Sequence, residues 1–386
     1  MTIIYLYRSL AAFGGVERVF IDKANYLAEH YGYRVYIVTW EQGEHPVVYP
    51  LSPKVTHIDW GILFYRQYQY GFFKRMSMQR EMEKLFFKKL RDFVRTTHAD
   101  FVVGASCEFT TMEGMASLKG ETHTILETHS MRGSIEKASV PIGNALKRWA
   151  FKRRDKQLHR FIRQMSVFVT LTKADAKAWS DVSEAMVIPN MLHRYLPEIK
   201  PAAGTHKRII SAGRLVEQKG YDLLLEAWNI VRQQHPDWTL DIYGDGEDRE
   251  MLLDKRKKLG LEESVLFHLP TQEIYQKYME SDFYVMSSRF EGFGLVLAEA
   301  MSCGIPCVSF DCPHGPSDII KHGEDGLLVE RNNIQQLAEK IGYLIENESI
   351  RLEMGRRARE NVKRFLPENV MPQWRNLFES LTNSSK

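Results

Sequence analysis

Four cysteines in 386 residues (Cys107, Cys303, Cys307 and Cys312) are too few for a disulfide scaffold and suit a reducing compartment. Long apolar runs are missing as well. No stretch approaches the roughly 18 consecutive apolar residues that a spanning helix needs, and Arg8 breaks the apolar start Ile3 to Leu6 before a signal-peptide core is complete. A cytoplasmic protein is the expectation. Neither a Walker sequence nor Gly-x-Gly-x-x-Gly occurs, which disfavours a P-loop ATPase and a nicotinamide dehydrogenase. No repeat with a period of about 20 to 50 residues and no low-complexity tract is visible, so solenoids and disordered arms are excluded too.

What remains is a globular composition, 44% apolar and 26% charged, in a chain long enough for two or three domains. The net charge of +3 conceals an asymmetry. Residues 1–190 carry 27 Lys and Arg against 19 Asp and Glu, whereas residues 191–386 carry 25 against 30. A basic half and an acidic half suggest that one half faces something anionic.

Short β-branched runs alternate with helical stretches, the pattern of a parallel sheet with crossover helices. Strands are expected at Thr2–Tyr7, Arg34–Thr39, Phe101–Gly104, Thr124–Glu127, Val167–Leu171 and Met186–Ile188 in the first half. The second half repeats the pattern at Arg208–Ala212, Thr239–Tyr243, Val265–His268, Phe283–Ser287, Cys307–Phe310 and Gly326–Val329. The fold class is therefore α/β, with two Rossmann-like doubly wound domains expected to face a central cleft. Pro189, Pro197, Pro201 and Gly204 mark the linker. The expected division is 1–190 plus 367–386 for an acceptor-side domain and 191–366 for a donor domain.

Three loops carry chemistry. After the first strand, Gly14-Gly15 precede a helix, so their amides and the helix dipole can approach an anion. The second half opens with a strand followed by Gly213-Arg214-Leu215 and Lys219-Gly220, two cations at a strand's carboxyl end that can neutralise a diphosphate. The third loop, Glu291-Gly292-Phe293-Gly294-Leu295, runs into a helix carrying Glu299. Eight helical steps span about 12 Å, whereas paired glycosidase carboxylates sit about 5 to 9.5 Å apart. Glu291 and Glu299 are thus expected to grip separate hydroxyls of one elongated ligand.

Through Gly14-Gly15, Gly213-Arg214-Leu215 with Lys219-Gly220, Leu240 to Gly246, and the Glu291 to Glu299 block continuing to Val308, nearly the whole chain resembles a retaining family 4 glycosyltransferase of the GT-B fold. The resemblance is to bacterial members that build lipid-linked or surface polysaccharides. It implies that Arg214 and Lys219 hold a nucleotide diphosphate and Glu299 the ribose. Glu291 orients the transferred sugar with the Gly294 and Leu295 amides, and Phe293 counts with them among the donor-binding residues. It further implies that His129 lies beside the donor sugar and Gly15 against the phosphates. Pro313-His314-Gly315-Pro316-Ser317-Asp318 resembles the variant in members using UDP-hexoses or UDP-N-acetylhexosamines. The expected enzyme is a metal-independent hexosyltransferase with a UDP-sugar as co-substrate and no cofactor. A UDP-N-acetylglucosamine 2-epimerase-like enzyme and a silent sugar-nucleotide-binding protein are the alternatives. Cys303, Cys307, Cys312 and His314 lack the Cys-x2-Cys pair of common zinc sites, so no metal is expected.

Residues 147–163 carry eight cations against Asp155, with Trp149, Phe151, Phe161 and Ile162 interleaved. They read as a basic interfacial helix in which Lys147, Arg148, Lys152, Arg153 and Arg154 meet an anionic membrane or a glycan or lipid-linked acceptor. Phe72-Phe73-Lys74-Arg75 through Phe86-Phe87-Lys88-Lys89 has the same character with more balancing Glu. No nucleic-acid signature occurs. A peripheral enzyme on the inner face of the cell membrane is the expectation, and the oligomeric state is open.

Overall fold

The computed structural model describes residues 1–105, 107–133, 145–196 and 206–384, with side chains omitted at 145–151. The chain divides into two compact units, Met1–His193 with Val370–Lys386, and Arg194–Asn369. Of the expected linker, 189–204, residues 197–204 lie outside the described residues.

The first unit runs β1 (Thr2–Leu6), α1 (Gly15–His30), β2 (Arg34–Thr39), β3 (Val55–Asp59), α2 (Phe72–Thr97), β4 (Phe101–Gly104), α3 (Phe109–Ala116), β5 (His123–Glu127), α4 (Ala145–Gln164), β6 (Val167–Thr170), α5 (Lys173–Ala178) and β7 (Ala185–Val187). Its strands form one parallel sheet in the order β3-β2-β1-β4-β5-β6-β7. The second unit runs β8 (Arg208–Ala212), α6 (Tyr221–Gln234), β9 (Thr239–Tyr243), α7 (Arg249–Lys258), β10 (Val265–His268), α8 (Ile274–Met279), β11 (Phe283–Met286), α9 (Leu295–Ser302), β12 (Cys307–Phe310), α10 (Pro316–Ile319), β13 (Gly326–Val329), α11 (Ile334–Glu346) and α12 (Glu348–Asn361). It is also fully parallel, in the order β10-β9-β8-β11-β12-β13. The last helix, α13 (Pro367–Ser384), places Val370, Met371, Trp374, Leu377 and Phe378 in the core of the first unit.

Each sheet has its switch in strand order beside the first strand of the unit, at β1/β4 and at β8/β11. Loops leaving neighbouring strands diverge there and open a crevice beyond their carboxyl ends. The sequence reading missed β3. Its run Val55-Thr56-His57-Ile58-Asp59 alternates weakly because it is an edge strand, with only Val55 buried and His57 and Asp59 hydrogen-bonded back to Thr39 Oγ1 at 3.0 and 3.1 Å.

One buried charge pair crosses the first unit. Lys23 follows Val19 and precedes Leu27 at helical spacing on the inward face of α1, and its ammonium is paired with the carboxylate of Glu127 at the end of β5. Both side chains are 2% exposed. The Lys23 ammonium also lies 4.1 Å from the Trp374 ring centroid and 5.4 Å from that of Tyr5, so α13 is tied to α1 and β1 through one cation. Burial opposes ionisation of Glu127, but Lys23 and then His129 outweigh it and hold the carboxyl down at about 2.

A depressed carboxyl stabilises the fold fully above the ordinary range near pH 4.5, and that contribution is lost as pH falls through about 2. Acid titration followed by circular dichroism is expected to show a component in this window that Glu127→Gln removes. Glu127→Gln and Lys23→Met are each expected to cost about 3 to 5 kcal/mol, because each strands a buried charge. The double variant should cost clearly less than the sum of the two; urea unfolding of all four forms measures the difference.

Candidate functional site

In the second unit the loop after β8 is built against its neighbours on both sides. The Leu215 amide donates to the Asp245 carbonyl at 2.9 Å, and the Asp248 amide returns to the Leu215 carbonyl at 2.9 Å. On the other side, Ser287 Oγ donates to the Lys219 carbonyl at 3.0 Å, the Arg289 amide to the Gln218 carbonyl at 2.8 Å, and Gln218 Nε2 to the Phe290 carbonyl at 3.0 Å. Gly220 lets the two loops touch. Its φ of 63° is left-handed, and a Cβ there would stand 2.1 Å from the Ser287 carbonyl oxygen.

This lacing brings Lys219 and Glu291 together. Lys219 Nζ donates to Glu291 Oε1 at 2.6 Å, and Ser288 Oγ donates to the same oxygen at 2.6 Å. Glu291 is 6% exposed, so its charge is held by named donors and not by solvent. The residues around the pair form a small recess at the carboxyl ends of β8 and β11, lined by Ser211, Ala212, Lys219, Tyr221, Tyr284 and Ser288 among others. The Tyr284 hydroxyl donates to the Ala212 carbonyl at 3.0 Å and pins the end of β8 to β11.

Past this recess, Gly294 takes φ 91° and caps α9 without a side-chain bond. As the cap and first residue of the helix, Gly294 and Leu295 present amides with no carbonyl behind them in the turn. Arg214 is exposed on the same laced loop as Lys219, with no partner among the described residues. Glu299, one turn into α9, accepts from the Tyr278 hydroxyl at 3.5 Å. The two glutamates therefore have separate partners. Phe293 differs from the sequence reading: its ring is 4% exposed and packs edge-on against Phe365, with centroids 5.3 Å apart.

In the first unit, Gly14 caps α1 in extended conformation without a side-chain bond, and a Cβ at Gly15 would meet nothing within 4 Å. Glu17 shares this end of α1 and accepts from the Tyr7 hydroxyl at 2.9 Å. His129 Nε2 lies 3.2 Å from Glu127 Oε1, and its side chain is 4% exposed. The buried Lys23–Glu127 pair thus stands directly behind the histidine.

The basic helix α4 uses its apolar residues inside. Leu158 and Ile162 belong to the core, Phe161 packs against it, and the Arg154 guanidinium stacks 4.7 Å from the Phe109 ring centroid. Lys152, Arg153 and Arg154 are exposed, whereas the side chains of Lys147 and Arg148, like those of Trp149 and Phe151, lie outside the described residues. The described part of this helix is a charged surface over a core face, because Leu158, Phe161 and Ile162 fall on the inward side. Among the described residues no helix is long and apolar enough to cross a membrane. Cys303 and Cys307 are buried and donate to the carbonyls of Tyr275 and Leu297 at 3.7 and 3.8 Å.

Sequence reasoning missed the bidentate pair Arg289–Asp222, at 2.8 and 2.7 Å, through which the β11 loop grips the first turn of α6. It also missed Ser288, Tyr278 and Lys23, none of which belongs to a recognisable spacing. A lysine among the apolar positions of α1 was the one available signal.

Gly220→Ala and Gly260→Ala make a matched test of the lacing. Both glycines are left-handed, at 63° and 65°, but a Cβ at Gly260 meets nothing within 4 Å. Gly260→Ala is expected to cost about 1 to 2 kcal/mol from backbone strain alone. Gly220→Ala should cost clearly more in urea unfolding, because the Ser287 carbonyl must also move out of the way of the new Cβ.

Residues 196–361 match the family model described as Glycosyl transferases group 1. An uncharacterized glycosyltransferase of Haemophilus influenzae is 28% identical over 382 residues, covering 97% of this chain and 98% of that protein. The poly(ribitol-phosphate) alpha-N-acetylglucosaminyltransferase of Staphylococcus aureus is 30% identical over 235 residues, 60% of this chain and 47% of that one. A crystal structure of S. aureus TarM, in complex with Fondaparinux, alpha-GlcNAc-glycerol and UDP, superposes with a TM-score of 0.77 at 17% identity, covering 98% of this chain and 99% of that one. The two parallel-sheet units are those of the GT-B fold, and the laced loops of the second unit fall within residues 196–361, the part of the chain that is similar to the group 1 glycosyltransferases.

Proposed function

We propose that the protein is a retaining, metal-independent glycosyltransferase that moves a hexose or N-acetylhexosamine from a UDP-sugar to a glycan or lipid-linked acceptor of bacterial polysaccharide biosynthesis. The observation that carries this reading is the Lys219–Glu291 pair at the carboxyl ends of β8 and β11, beside the open amides of Gly294 and Leu295. The ammonium has three donors, so it can keep Glu291 and still bind a diphosphate oxygen. The UDP in the TarM complex supports the nucleotide, and the S. aureus relative's name supports the N-acetylhexosamine.

In this reading Arg214 and Lys219 neutralise the diphosphate and Glu299 takes the ribose hydroxyls. Glu291 orients the sugar with the amides of Gly294 and Leu295. In the first unit, Gly14 and Gly15 are assigned to the donor phosphates and His129, which faces Glu127, to the donor sugar. No carboxylate is assigned as a covalent nucleophile. The bond between the anomeric carbon and the diphosphate breaks as the acceptor oxygen bonds to that carbon from the same face, and the acceptor proton passes to the departing diphosphate. Charge grows on the diphosphate during this step, so a fixed cation there stabilises the transition state more than the ground state.

Purified protein incubated with UDP-glucose, UDP-galactose and UDP-N-acetylglucosamine is expected to release UDP from at least one of them. Lys219→Ala should lower that rate by about 10² to 10³. An unchanged rate in the variant removes Lys219 from the mechanism, and conversion of the donor to an epimer overturns the transferase reading.

A further inference from the structure

The first turns of α2 have no core to pack on. The helix has 26 residues and is about 39 Å long, beside strands of four to six residues that span about 13 to 20 Å. Its buried residues, Phe86, Leu90, Val94 and Thr97, all lie in the second half. The first half therefore overhangs the carboxyl ends of the strands, the end of the sheet that also carries Gly14-Gly15 after β1 and His129 after β5. From Phe72 to Glu81 every residue except Met78 is exposed.

The overhang is apolar where a free helix end is ordinarily polar. Phe72 is 70% exposed and Phe73 84%, and the preceding short 3-10 segment Phe64–Gln69 adds Tyr65 and Tyr68. Among the described residues, six of the fifteen large apolar side chains in contact with solvent fall within residues 65–76. Scattered exposed aromatics are ordinary, but a contiguous cluster marks an interaction surface. The charge is one-sided as well. Residues 65–76 hold Arg66, Lys74 and Arg75 and no acidic residue; Glu81 and Glu83 come more than a turn further along α2, and Glu41 meets the patch at the Tyr65 amide. Lys74 stacks 4.1 Å from the Tyr70 ring centroid and Arg75 4.2 Å from that of Tyr68, which places cation and aromatic side by side on one surface.

We propose that residues 65–76 dock the protein on an anionic lipid bilayer, with Phe72 and Phe73 entering the boundary between headgroups and acyl chains and Lys74 and Arg75 meeting the lipid phosphates. Aromatic residues beside cations, without acidic residues, are the composition such a boundary accepts. A second copy of the chain fits this surface poorly, because a two-fold interface sets Arg66, Lys74 and Arg75 against their own counterparts, while Glu41 is already paired with Arg8 and Glu81 lies at the edge of the patch. The docking surface is thus the overhang of α2, whereas the described apolar residues of α4 are spent in the core. The proposal serves the reading of a membrane-held acceptor, but its evidence and its test are independent of sugar transfer.

The full chain is sedimented with vesicles of phosphatidylcholine alone and with vesicles containing phosphatidylglycerol. Wild type is expected to bind the anionic vesicles preferentially and to be released by salt. Lys74→Gln with Arg75→Gln should weaken that binding about 30-fold, equivalent to about 2 kcal/mol at roughly 1 kcal/mol per basic residue. Phe72→Ser with Phe73→Ser should weaken it at least about tenfold. Both variants should keep wild-type thermal melting and UDP release, since these side chains are exposed and outside the donor loops. Equal sedimentation of variants and wild type, or no preference for anionic vesicles, overturns the proposal. A wild-type dimer in sedimentation velocity that Phe72→Ser with Phe73→Ser dissolves also overturns it, by making the surface an interface between copies. Failure of UDP release with intact vesicle binding counts against the transferase reading alone.

Discussion

The candidate donor site depends on the pairing of Lys219 with Glu291. The ammonium and carboxylate come from loops 72 residues apart in sequence, and they meet because β8 and β11 are neighbours at the point where the strand order reverses. Neither group is placed by its own backbone alone. Gly220 allows the two loops to touch, Ser287 and Gln218 stitch them, and Arg289 ties the β11 loop to α6 through Asp222. Residues held on both sides lose little freedom when a ligand arrives, and such preorganisation is how an arrangement of ordinary side chains stabilises developing charge.

The first unit solves a related problem with a buried charge. Lys23 sits where a helix facing a sheet ordinarily places an apolar residue, and its cost is offset by Glu127 and by the rings of Trp374 and Tyr5. Because Glu127 also faces His129, the pair couples the packing of α13 to the orientation of a ring at the end of β5. A hydrophobic replacement of similar volume would fill the same space but would leave His129 without its carboxylate.

The sequence was most legible where burial dictates composition. Strands such as Ile3 to Leu6 or Phe283 to Met286 are covered on both faces, so they read as continuous apolar runs. The edge strand β3 was missed because one side is wet and its polar residues bond to a neighbour that sequence does not reveal. The Gly-x-Gly before α9 was legible for a related reason, since few residues other than glycine adopt the backbone at Gly294. Phe293 was misjudged because adjacency to a glycine loop says nothing about which way a ring turns; Phe365, 72 residues on, decides that. The aromatic and basic helix α4 was read from composition alone, and only packing shows that Leu158, Phe161 and Ile162 point inward.

By itself the sequence determined the class of the molecule. Two series of apolar runs separated by helical stretches leave a doubly wound pair of parallel sheets as the economical way to bury them. Glycines and cations after particular strands mark where anions can be held. Tertiary structure decided which side chains face one another: Lys219 with Glu291, Arg289 with Asp222, Lys23 with Glu127, and which half of α2 finds a core. The reason is that strand order sets these encounters. Local preference acts over a few residues through backbone sterics and periodicity, whereas pairings across about 70 to 100 residues exist only once the sheet has put distant strands side by side.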